Sequence, residues 1–285
     1  MAASSVEEAI LFGVLESIAV VLPLSAAMRI WRAPRLAFDC LLPVCIIMSY
    51  WTAYNKFPPF PPIGAVNKLP YVLCAGLGLG VICDLVHSKT VGTIVCCVFA
   101  ATAALYIGWS QLQSGAMAVA FAGLAGALVQ LTVSYEPHDC QPGYDIDRGA
   151  VLGLTSVGCG FVALLGASSS SLQLCLTFAA SVAAVLIVQV FGTQFRFLFA
   201  SRMAGIGGLH AMMCVVLLIT QKADAIAAVI LCCASLSPYV GHAGARRLGI
   251  HSAFARHFIV SGLASLVIIS ACGVAYAHYL SDFPT

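Results

Sequence analysis

The sequence predicts an all-α polytopic integral membrane protein of about ten transmembrane helices with short loops and both termini outside. Three observations predict it. The 285 residues are 61% hydrophobic and only 8% charged, with a mean hydropathy of +1.00. Soluble domains carry roughly 25% charged residues, and too few polar side chains exist here to cover a soluble surface. Apolar runs of about 18 or more residues recur along the whole chain, each a spanning-helix candidate. The basic residues, finally, fall into alternate loops.

The runs lie at about 8–28, 36–54, 69–87, 90–110, 115–134, 149–167, 172–194, 203–220, 224–241 and 258–279. They are too long and continuous for barrel strands, and lipid leaves no unpaired backbone, so all are expected to be helices. They use up the chain as a single transmembrane domain, 1–285. An odd five-plus-five division into 1–134 and 149–285 permits an inverted repeat, but no matching residues support one.

The first run follows Glu7 and Glu8, where a cleaved leader would carry Lys or Arg, so no leader is expected. Glu16 sits inside this run. Intramembrane ionisable residues are expensive and are functional-site hypotheses by default. Pro23 frees the carbonyl of Ala19, about one turn from Glu16, and a carboxylate beside a free carbonyl suits a proton or small cation. The competing reading pairs Glu16 with a basic group on another helix.

The second run ends in Tyr50, Trp51 and Tyr54, aromatic anchors at headgroup level. The stretch "FPPFPPIGAVNKLP" (57–70) follows, a stiff polyproline connector that is either a strut or a lid, with Pro70 expected in the first turn of the third run. Gly76, Gly78 and Gly80 mark the third run; Ala118, Ala122 and Gly126 form a small-residue stripe in the fifth. Gly149 and Gly153 repeat that spacing in the sixth, which allows close helix approach.

Between the fifth and sixth runs, "YEPHDCQPGYDIDR" (135–148) collects Glu136, His138, Asp139, Cys140, Asp145 and Asp147. Asp145 and Asp147 suit Mg²⁺ and phosphate chemistry, or an acidic turn. The eighth run holds "AGIGGLHA" (204–211), whose Gly205, Gly207 and Gly208 are the best candidates for a broken helix that binds a solute beside His210. Met203, His210 and Cys214 share a helical stripe and are weak ligands for a soft metal such as Cu(I). "GHAGARRLGIHSAFARH" (241–257) is basic and either anchors topology or meets anionic lipid heads.

Ten of the thirteen basic residues fall in one set of loops, and only Lys56, Lys68 and Lys222 in the other. The richer set is cytoplasmic by the positive-inside rule, which leaves both termini outside. Most of the thirteen cysteines lie in apolar runs as small hydrophobes, and no CxxC occurs. The net charge of +2 gives no sign of nucleic-acid binding. No P-loop, HExxH helix or clustered histidine pair appears, and no cofactor is assigned.

The function expected from this architecture is passage of a small solute or ion across a plasma or bacterial inner membrane. The candidate site is Glu16, Gly205, Gly207, Gly208 and His210. The alternatives are a non-catalytic subunit, docking as a homo-oligomer or on a membrane partner, and an enzyme using the acidic loop.

Overall fold

The computed structural model describes residues 6–54, 58–62, 64–134, 143–190, 196–221, 223–250 and 252–282. Every apolar run of the sequence is helical, and no strand occurs among the described residues. In order these are α1 (Val6–Ile30), α2 (Arg35–Tyr54), α3 (Ala65–Val86), α4 (Lys89–Ile107), α5 (Leu112–Ser134), α6 (Tyr144–Leu165) and α7 (Ser169–Val190). Next come α8 (Gly207–Cys214), α9 (Ala225–Cys233), α10 (Ser237–Arg247) and α11 (Ala253–Asp282). Wide π-helical turns at Ser201–Ile206 and Val215–Thr220 extend α8 at both ends, and a 3₁₀ turn at Ala234–Leu236 joins α9 to α10.

Several helices outrun the apolar runs. α6 starts at Tyr144 rather than 149, and α3 starts at Ala65, so Pro70 falls in its second turn. Hydropathy misses such polar first turns. Asp224 caps α9 by accepting from the N–H groups of Ile226 (2.6 Å) and Ala227 (3.1 Å), and Ser88 caps α4.

Nine helical stretches among the described residues are long and apolar enough to cross a membrane. One of them, Lys89–Ser134, is 46 residues long. It is a hairpin, not a rod. Gly108–Gln111 tightens to a 3₁₀ turn, Gly115 leaves the helical region (φ −149°, ψ 39°), and α5 returns along α4. The register is antiparallel: the Cys97 thiol donates to the Ala127 carbonyl (3.4 Å), and a Cβ on Gly123 would lie 3.5 Å from Ala101 Cα. The α4-facing side of α5 is therefore one residue away from the stripe of Ala118, Ala122 and Gly126.

The α8 stretch is the centre, 78% buried, while α1 (22%) and α11 (28%) lie on the rim. Around it α2, α3 and α4 pack on one side; α6 joins α7 to α11, and α1 lies on α7. Lipid tails are as apolar as leucine, so close van der Waals fit holds these helices together. Small residues supply the fit: a Cβ at Gly80 would fall 2.5 Å from Ala200 Cα, and one at Gly76 3.2 Å from the Met203 carbonyl carbon. The twelve described cysteines are all free, and most are buried or half-buried.

The proline segment lies against α3. Tyr71 donates its hydroxyl to the carbonyls of Pro58 (3.4 Å) and Pro59 (3.1 Å), while Phe60 projects outward.

Candidate functional site

The chain enters the α8 stretch through Phe197–Ser201, and a helix start has backbone N–H groups with no partner of its own. Here five consecutive N–H groups each find a carboxylate. Asp145 of α6 accepts from Phe197. Asp39 of α2 accepts from Leu198 (2.8 Å) and Ser201 (3.2 Å). Asp84 of α3 accepts from Phe199 (2.9 Å) and Ala200 (3.2 Å). Ser201 also returns its hydroxyl to the Asp39 carbonyl (2.9 Å). Negative charge at a helix N-terminus is favourable, and these carboxylates spend their acceptors on the helix.

One turn further in, the Arg202 carbonyl belongs to the π-helical turn and bonds the Gly207 N–H. It also accepts from Gln130 Nε2 (2.9 Å), a side chain of α5 that is only 1% exposed. "AGIGGLHA" is thus a widened helix rather than a broken one, because a π turn keeps its backbone bonds.

A second polar centre stands beside the first. Asp147, 1% exposed, accepts from His242 Nε2 of α10 (2.6 Å) and from His257 Nδ1 of α11. The Tyr144 ring meets His242 edge-on at 5.0 Å. Gly143 begins α6 with φ 97°, a left-handed conformation natural to glycine, and a Cβ there would press on His257 Cε1 at 2.8 Å. Asp145 points elsewhere, toward Arg148 (3.7 Å) and Arg196 (3.6 Å). Asp145 and Asp147 are thereby drawn apart by different partners, and the segment 135–142, with Glu136, His138, Asp139 and Cys140, lies outside the described residues.

A cavity of about 730 Å³ lies between α5, α6, α8 and the α9–α10 pair. α5 and α6 follow each other in sequence but do not pack along each other among the described residues, and the cavity fills the gap. One half, from Ala118 and Leu217 to Val229, is mainly apolar. Polar side chains line its middle and its other half. His210 and Cys214 face it, with Nε2 and Sγ 3.5 Å apart. Thr132 and Ser235 reach across from α5 and the 3₁₀ turn (3.3 Å). At the end stand Tyr144, Tyr239 and Arg148, whose Nη2 donates to the Val133 carbonyl (2.7 Å) and whose guanidinium lies 4.4 Å from the centre of the Tyr144 ring.

The expected site residues separate in the structure. His210 lines the cavity and hydrogen-bonds the Ala122 backbone. Gly205 faces Leu152, Gly207 faces Phe99 and Gln130, and Gly208 faces Leu73 and Ile46, so all three serve close packing around the α8 stretch. Glu16 lies on the exposed face of α1, away from all of them and from the cavity. Met203 is fully buried on the far side of the π turn, whose extra residue shifts it off the stripe with His210 and Cys214. No group of three metal-ligating side chains occurs among the described residues. Of the basic segment 241–257, His242, Arg256 and His257 turn inward, while Arg246 and Arg247 stay exposed.

Sequence reasoning missed Asp39, Gln130 and the joining of Asp147 to two histidines. Asp39 carried a usable signal: it is a carboxylate within an apolar run, the rule that singled out Glu16. No family model matches the chain, and no curated protein or solved structure resembles it significantly.

Proposed function

We propose that this protein is a ten-crossing membrane protein that binds a mainly apolar small molecule in the cavity and passes it through the membrane. Counting the α4–α5 hairpin as two crossings gives ten, which puts both termini on the side poorer in Lys and Arg. The observation that carries the reading is the cavity. Its volume of about 730 Å³ is in the range of small-molecule sites, and its lining is mainly apolar with a few polar groups. Apolar walls do not hold water well, so the gap suits an apolar occupant.

The test uses purified protein in lipid nanodiscs and an environment-sensitive apolar dye. Ala122→Phe and Ala125→Phe place a ring in the cavity. Both should abolish saturable dye binding while keeping or raising the unfolding temperature. Equal binding by wild type and both variants would overturn the reading.

A second reading, docking to another membrane subunit or a second copy, is favoured by α1. Its outward face shows Leu11, Phe12 and Leu15 together with Glu16, a carboxylate that lipid alone does not favour. Cross-linking from Leu15→Cys in membranes tests it: adducts with a second chain support docking, and adducts with lipid only refute it.

A further inference from the structure

Resting on the second reading above, docking at α1, we infer that the partner is a different membrane chain, one of whose helices brings a Lys or Arg to Glu16 in the middle of the bilayer.

The depth of Glu16 sets the problem. It lies ten residues after Val6 and fourteen before Ile30, roughly 15 Å and 21 Å along the axis of α1 at about 1.5 Å per residue. Its side is exposed, and it makes no hydrogen bond or ion pair among the described residues. A second acceptor stands beside it. Pro23 lies inside α1 and has no N–H to return to the Ala19 carbonyl one turn before it. Ala19 is three residues from Glu16, so the two are neighbours on the helix surface, and Glu16, Ala19 and Pro23 are all exposed. Hydrocarbon offers a donor to neither acceptor, and such groups in membranes find their partners on other helices.

The two acceptors select a cation. A Lys ammonium carries three N–H donors and an Arg guanidinium five, enough for a carboxylate and a carbonyl one turn apart. The shape of the face suits a helix as the carrier. Phe12, Glu16, Ala19 and Pro23 recur at i, i+4, i+7 and i+11 along one side of α1. Phe12 (66% exposed) and Leu15 (56%) stand above Ala19, whose small side chain lets a second backbone come close.

A second copy of this chain has no such cation to offer. Among the described residues, Arg148, Arg202 and Arg256 are buried, and every other Lys or Arg sits in a turn or within about a turn of the end of a helical stretch. Two copies meeting at α1 would set Glu16 against Glu16, a like pair that the bilayer does not favour.

Three synthetic transmembrane helices of Leu and Ala test the inference. They differ only in a central Lys, Leu or Glu, each carries a diazirine one turn from the centre, and each is reconstituted with the full chain in nanodiscs. The Lys helix should label α1 about ten-fold more than the Leu helix, the worth of one charge-assisted pair, and the Glu helix least. Glu16→Gln should bring the Lys helix down to the level of the Leu helix, and Glu16→Lys should make the Glu helix the best of the three. Leu266→Glu on the exposed face of α11, combined with Glu16→Gln, should capture the Lys helix only weakly. Capture there as strong as at Glu16 would overturn α1 as a face built for this partner. Equal labelling of α1 by all three helices would overturn the cation and leave docking standing, and labelling of α1 no higher than of α11 would overturn both. In native membranes, a Leu15→Cys adduct between two copies of this chain would overturn the different partner.

Discussion

Gly126 shows how much one hydrogen atom decides in this molecule. A Cβ there would lie 2.6 Å from His210 Cδ2 and 2.9 Å from Cε1, so the ring can face the cavity only because position 126 has no side chain. Gly126→Ala should destabilise by about 1–3 kcal/mol, the usual cost of overpacking. His210→Ala on that background should recover most of it, and a double-mutant cycle by thermal unfolding in detergent checks the coupling. Asp147 carries a different load. Asp147→Ala strands two imidazole N–H groups and should cost about 3–5 kcal/mol, whereas Asp147→Asn keeps one acceptor and should cost less. Glu16 is the opposite case. Its carboxylate faces out of an apolar helix, so Glu16→Leu should raise stability by about 1–3 kcal/mol in reconstituted membranes. A loss instead would identify a partner for it.

At the level of elements, the α8 stretch is held by its first turn. Asp84→Ala removes the acceptors of Phe199 and Ala200, at about 1–3 kcal/mol for each N–H left unsatisfied. Hydrogen exchange should accelerate at residues 198–201 first, before the rest of the α8 stretch loosens. These elements were legible in the sequence as far as length and apolarity reach: each run corresponds to a helix, and the reversal between α4 and α5 is marked by Gly108 and Gly115. Helix starts were less legible, because α6 begins on charges that only tertiary partners make tolerable inside a bundle. The cap was not legible at all. Asp39 and Asp84 are isolated acids, and their partners lie 159 and 115 residues away. The cavity was legible only at His210 and Cys214, since its walls come from four parts of the chain and its lining is mostly the same Leu, Ala and Val that pack elsewhere.

Among the described residues, one end of the molecule is rich in arginine and carboxylate contacts and the other is poorer in them. Reporters fused at the two termini should therefore read the same side of the membrane, and a reporter inserted after Gly249, in the exposed turn between α10 and α11, should read the other. Opposite readings at the termini would remove one crossing from the count. The arrangement of the cap also gives the protein a timetable. α2 and α3 leave the ribosome with carboxylates already in place, but the backbone groups that receive Asp84 follow 115 residues later. At about 5–20 residues per second that is a wait of roughly 6–23 s. During it the first half of the protein is an unfinished receptor for its own α8 stretch. Chains stopped before Phe197 should thus be short-lived in cells, and co-expression of the missing C-terminal piece should extend their lifetime, because the second half is what tells the cell that the first half is complete.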